Sequence, residues 1–168
     1  MTRGWSPKSV KVRDKIIDSL IMLPKNDAYY FNFECDPKYK RDGAEKFVPY
    51  VEYLEMLKQS KTTLVIQSLD PRFFSLRRFF EAICMGVLPL VHKGSDYKAG
   101  FSYDQEFIDF AEQYLVVDAT SLAKTHQKIE AVNANYEYIY TQLLETNFMK
   151  RYFDKAWYTE HMTNALLK

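Results

Sequence analysis

Ser75-Leu76-Arg77-Arg78-Phe79-Phe80-Glu81-Ala82-Ile83-Cys84-Met85-Gly86-Val87-Leu88-Pro89-Leu90-Val91 reads as the end of a polar loop, a helix, a glycine stop and a buried apolar strand. Ser75 suits the N-cap, where a serine hydroxyl can accept from an unpaired amide of the first turn. Leu76, Phe79, Phe80 and Ile83 recur at helical spacing and predict the inward face. Arg77 and Glu81 then share another face, one turn apart. Cys84 is expected to be a small buried apolar residue of this helix.

The pattern continues on both sides. Upstream, residues 62–66 form an almost continuously apolar run, expected as a strand buried on both faces. Before it, residues 50–57 predict a helix with Tyr50, Tyr53, Leu54 and Leu57 on one face. Further upstream come a strand over 28–33 and a helix over 9–23, and the mixed-charge stretch 36–46 reads as a solvated loop. Downstream, His92-Lys93-Gly94-Ser95 is a loop, 104–113 a helix with Phe107, Ile108 and Ala111 inward, and 114–117 a short strand. Everything from Ser121 onward is expected to be helical and to end in an aromatic tail that packs on the domain.

Helix and strand thus alternate about four times with short apolar strands. This predicts an α/β fold: a three-layer Rossmann-like parallel sheet with helices on both faces and a helical C-terminal tail, one domain over residues 1–168. In such sheets the loops after the strands share one edge, where ligands bind. Ser68 to Phe74 and His92 to Ser95 both follow strands and are expected at that edge, beside Ser75.

Composition narrows the options. Of 168 residues, 47% are hydrophobic and 27% charged, with 13 Tyr and 12 Phe against only 5 Gly. A formal net charge of +1 gives no global field toward nucleic acid or an anionic membrane. Any anion site must be local. Cys35 and Cys84 are too few for a disulfide framework. No stretch resembles a signal peptide or has the length of a membrane span, so a cytoplasmic setting is expected. His92, His126 and His161 lack metal-ligand spacing, and no metal site is expected. The absence of a P-loop or a full dinucleotide fingerprint weighs against an ATPase or a dehydrogenase.

The local chemistry points to an anion. Free amides and the helix dipole favour negative charge at the Ser75 end. Arg77 and Arg78 add fork-shaped donors that suit phosphate oxygens. Glu81 repels phosphate, but a carboxylate can accept from two vicinal ribose hydroxyls. One turn, roughly 6 Å along the axis, matches the offset between a diphosphate and its ribose. The plainer alternative is an Arg77–Glu81 surface ion pair with no ligand.

The runs Ser60 to Ile66, Phe74 to Ala82 and Gly86 to Val91 together resemble the C-terminal half of a GT-B-type glycosyltransferase. That family has a strand, a small-residue loop, a helix with a Glu-Ala pair, then a Gly-x-x-Pro strand. The resemblance implies that Ser68, Ser75, Arg77 and Arg78 face the donor diphosphate and that Glu81 holds its ribose. Arg3 and Gly4 resemble the glycine turn after the domain's first strand, and Val48 stands where the backbone meets the base. The implied substrate is a UDP- or GDP-linked sugar, with no further cofactor. Arg77 and Arg78 would act in catalysis by stabilising charge on the leaving diphosphate.

Two departures accompany the likeness. Many retaining members carry an extra Glu ahead of the loop, where this chain has Asp70-Pro71-Arg72-Phe73-Phe74. The family's N-terminal Rossmann-like half is absent, which implies a longer enzyme, a stand-alone relic or a second polypeptide. The rival expectation from another class is a non-catalytic interaction protein that retains the fold. A different nucleotide-binding enzyme on the same architecture is a third.

Overall fold

A computed structural model describes residues 15–16, 49–66 and 72–154. Among them the chain is an α/β fold built on a parallel sheet of three strands, β1 (Thr62–Val65), β2 (Leu88–His92) and β3 (Val116–Val117), in that spatial order. Thr62 lies opposite Leu88 and Val65 opposite Val91, while His92 faces Val117. Helix α1 (Tyr50–Lys58) precedes β1, and α2 (Leu76–Cys84) links β1 to β2. Helices α3 (Tyr97–Gly100) and α4 (Gln105–Tyr114) link β2 to β3. Three more follow β3: α5 (Leu122–Ala134), α6 (Tyr136–Glu145) and α7 (Asn147–Phe153). Each crossover has the length that parallel pairing demands.

β2 is central and all five of its residues are buried. In β1 only Val65 is buried, and the others are half-buried. Full burial on both faces was the expectation for β1; as an outer strand of the described three it lacks a second neighbour there. Residue 114 also departs from expectation. Tyr114 ends α4 instead of opening a strand, because its ring follows Phe110 by one helical turn and packs on it at 5.1 Å. The helical stretch after Ser121 is broken at Asn135 and Thr146.

Packing follows the apolar faces. α2 lies against β1 and β2, and α5 against β1 and β3. Phe101, fully buried, is the hub of an aromatic core, with Phe107 at 4.7 Å, Phe74 at 4.9 Å and Phe79 at 5.1 Å between ring centroids. The tail joins this core: Phe148 stacks on Phe107 at 4.2 Å and Tyr152 on Phe80 at 3.5 Å. A smaller cluster gathers Ile16 and Ala119 with Leu64, Ile66, Leu122 and Ile129.

Helix α2 is closed at its C-terminus by Gly86 in the left-handed region, φ +76°. The Gly86 N–H donates to Ile83 and the Val87 N–H to Ala82, at 3.0 and 2.9 Å, the paired bonds of a Schellman motif. From α6 the Tyr140 hydroxyl donates to the Ile83 carbonyl at 2.7 Å, and Tyr136 donates to Gly86. Four groups thus serve the end of this one helix. Cys84 is exposed, not buried as expected. It stands seven residues after Arg77 and so falls on the polar face that Arg77 and Glu81 occupy.

Candidate functional site

Parallel strands bring the segments that follow them to one edge. There the residues leading into α2 are tied to the turn after β2: the Asp96 N–H donates to the Arg72 carbonyl at 2.8 Å, and an Asp96 carboxylate oxygen accepts from the Phe74 N–H. Gly100 permits this closure. A Cβ there would stand 2.2 Å from the Phe74 ring.

Ser75 occupies the N-cap of α2 with extended backbone, φ −102° and ψ 90°. Its carbonyl accepts from the Phe79 N–H at 3.0 Å, but its hydroxyl makes no capping bond, contrary to expectation. Among the described residues the first-turn amides of α2 therefore have no side-chain cap. The N-cap of α1, Pro49, has no hydroxyl or carboxylate and makes none either.

Glu81 sits in the next turn with 15% of its side chain exposed, so it is recessed and still reachable. Arg77 Nε donates to Glu81 Oε1 at 2.7 Å. The Tyr50 hydroxyl, from the first residue of α1, donates to that same oxygen at 3.0 Å. The Arg77 guanidinium lies 5.8 Å from the Tyr50 ring centroid. Its bonds with Glu81 and then Tyr50 raise its pKa above the ordinary value.

Arg78 is exposed and pairs with no carboxylate among the described residues. It lies beside Tyr53, whose phenol pKa is raised by burial and partly lowered again by the Arg78 charge. Ser75, Arg77, Arg78 and Glu81 are thus gathered on one helix, with Tyr50 and Tyr53 added from α1. Arg3, Gly4, Val48 and Ser68 lie outside the described residues.

Sequence reasoning missed Tyr50 and Tyr53 as site residues. Nothing local in the sequence points to them: only in the fold does Leu57 pack against Ala82 and Val87, with Tyr53 and Met85 beside them. Tyr50, at the start of α1, reaches Glu81, which sets that end of α1 beside the second turn of α2.

His92 takes no part in this cluster. It is the last residue of β2, 5% exposed, and its Nδ1 accepts from the Ala119 N–H at 3.3 Å. Burial lowers its pKa, and the Asp118 charge and Val117 carbonyl act against that shift. The imidazole also leaves no room at Gly94, where a Cβ would lie 2.6 Å from Nε2. A cleft of about 390 Å³ beside β3 is lined by Lys93, Asp118, Lys124, Gln127 and Lys128 among others, and by no residue of α2. Among the described residues no helix is long and apolar enough to cross a membrane. No protein-family model, curated protein or solved structure matches this chain.

Proposed function

We propose that this chain is the donor-binding domain of a glycosyltransferase, which takes a UDP- or GDP-linked sugar and supports glycosyl transfer to an acceptor. On this reading the sheet and its helices are a three-layer Rossmann-like domain of the GT-B kind. A second Rossmann-like half, in the same polypeptide or another, completes the cleft.

The observation that carries the reading is the meeting of Tyr50, Arg77 and Glu81 beside an N-terminus of α2 that Ser75 leaves uncapped. Uncapped amides at the positive end of a helix dipole favour an anion by about 0.3–1 kcal/mol. Arg78, which pairs with no carboxylate among the described residues, is the ready phosphate donor. Arg77 has to leave Glu81 to join it. Arg77 is solvated on its outer side, so its pair with Glu81 is weak, and a diphosphate offers the guanidinium more negative charge and more acceptor oxygens than one carboxylate does. The exchange therefore favours the phosphate. The recessed Glu81 carboxylate then accepts from the ribose hydroxyls. In transfer, Arg77, Arg78 and the α2 amides stabilise the charge that develops on the departing diphosphate.

Titration calorimetry with UDP, GDP and ADP tests this. Binding in the micromolar to low-millimolar range is expected for UDP or GDP, and is lost in the double variant Arg77→Ala, Glu81→Ala. A folded chain that gives no heat with any of them sinks the proposal and favours a non-catalytic interaction protein.

A further inference from the structure

Both donors on Glu81 end on Oε1, at 2.7 Å from Arg77 and 3.0 Å from Tyr50. The second carboxylate oxygen receives no hydrogen bond among the described residues. A carboxylate offers about four lone-pair sites, so Oε2 keeps its full capacity. The two donors differ in what they can do next. Arg77 is charged, its side chain is 79% exposed, and it belongs to the first turn of α2, where an anion would sit. Tyr50 carries a hydroxyl, and it comes from a different helix, α1, which packs Leu57 on Ala82 of α2 and on Val87 beyond its end.

We infer that Tyr50 is a positioning residue: it holds Glu81 Oε1 while Arg77 passes from Glu81 to the phosphates, so that Oε2 stays directed at the vicinal hydroxyls of a ribose. The inference rests on the donor-binding reading above and adds to it a residue and an exchange. The physical need is specific. Once Arg77 departs, Glu81 loses its counter-charge just as two phosphate groups arrive nearby. Like charges would drive the carboxylate to rotate away, and among the described residues the Tyr50 hydroxyl is the remaining donor that opposes this. A phenol suits the task because it has a single O–H, already given to the carboxylate, and no positive charge to draw it to the phosphates. Arg77 and Tyr50 therefore carry separable duties, one toward charge and one toward the sugar hydroxyls.

That separation supplies the test. Binding of UDP and GDP, and of the matching diphosphates that lack both ribose hydroxyls, is measured by calorimetry for the wild type and for Tyr50→Phe, Glu81→Gln and Arg77→Ala. Tyr50→Phe is expected to weaken the ribonucleotide by about threefold to tenfold and to leave the hydroxyl-free analogue unchanged. Glu81→Gln should follow the same pattern, and Arg77→Ala should weaken both ligands alike. If Tyr50→Phe lowers affinity for both ligands equally, its role is merely structural and the inference is overturned. It is overturned equally if Tyr50→Phe binds as the wild type does while Glu81→Gln is impaired, an outcome that leaves the donor reading standing. A wild type that binds no ribonucleoside diphosphate removes both.

Discussion

The His92 imidazole is enclosed between β2 and the turn after β3, with Nδ1 taken by the Ala119 N–H. Nδ1 as an acceptor requires the neutral ring, and burial lowers the pKa below the ordinary 6.5. The unfolded chain therefore takes up its proton first as pH falls. Stability that is full above 6.5 is lost as pH drops through the folded value. Asp118, whose negative charge faces the ring, softens that loss. Its own pKa is lowered first by the Thr120 hydroxyl, so its contribution is present above 3.8 and fades in a separate, more acidic window. Urea unfolding followed from about pH 7.5 to 5 should show falling stability, and His92→Asn, which can still accept from Ala119, should flatten the profile. An unchanged slope in that variant would place the acid sensitivity elsewhere. The sequence offered only a histidine near a strand end, because nothing local announces that a backbone amide 27 residues later will meet it.

Helix α2 displays both kinds of information at its two ends. Its C-terminal stop was legible, since a glycine after an apolar-periodic run is a local signal. A Cβ on Gly86 would meet only the Tyr136 hydroxyl, at 3.8 Å, an ordinary contact. Gly86→Ala is therefore expected to cost about 1–2 kcal/mol from the left-handed backbone alone, measurable by urea denaturation, and Gly86→Asn less. Equal losses for Ala and Asn would point to steric crowding instead. The hydroxyls of Tyr136 and Tyr140, which also serve this end, come from 50 and 57 residues away, and no local rule pairs them with it. At the other end Ser75 was a sound N-cap from its type. Whether its hydroxyl bonds the first turn depends on the incoming chain, which Asp96 fixes through Arg72 and Phe74.

Across the molecule, the aromatic core joins segments far apart in the chain. Phe101 touches Phe74, Phe79, Phe107 and Phe148, and so links the approach to α2, α2 itself, α4 and α7. Phe101→Ala should cost about 3–5 kcal/mol in equilibrium unfolding, with α7 loosened along with the rest. Val51, 70% exposed, is a control: its replacement by Ser should stay within about 0.5 kcal/mol. A small loss at Phe101 would mean that the core can collapse around the gap. The tail's attachment was expected from its helical spacing, but the choice of Phe107 and Phe80 as stacking partners was not.

Periodicity and local stop signals were enough to establish an α/β chain with apolar strands, the extent of α2 to within a residue or two, and the Arg77–Glu81 face. These depend on neighbours three or four residues apart, and one sequence contains all of that information. Tyr50 closing on Glu81, the exposure of Cys84 and the burial of His92 were settled by how α1, α2 and the strands lie against one another. Those contacts depend on the summed packing of distant apolar faces, which no single stretch of residues encodes.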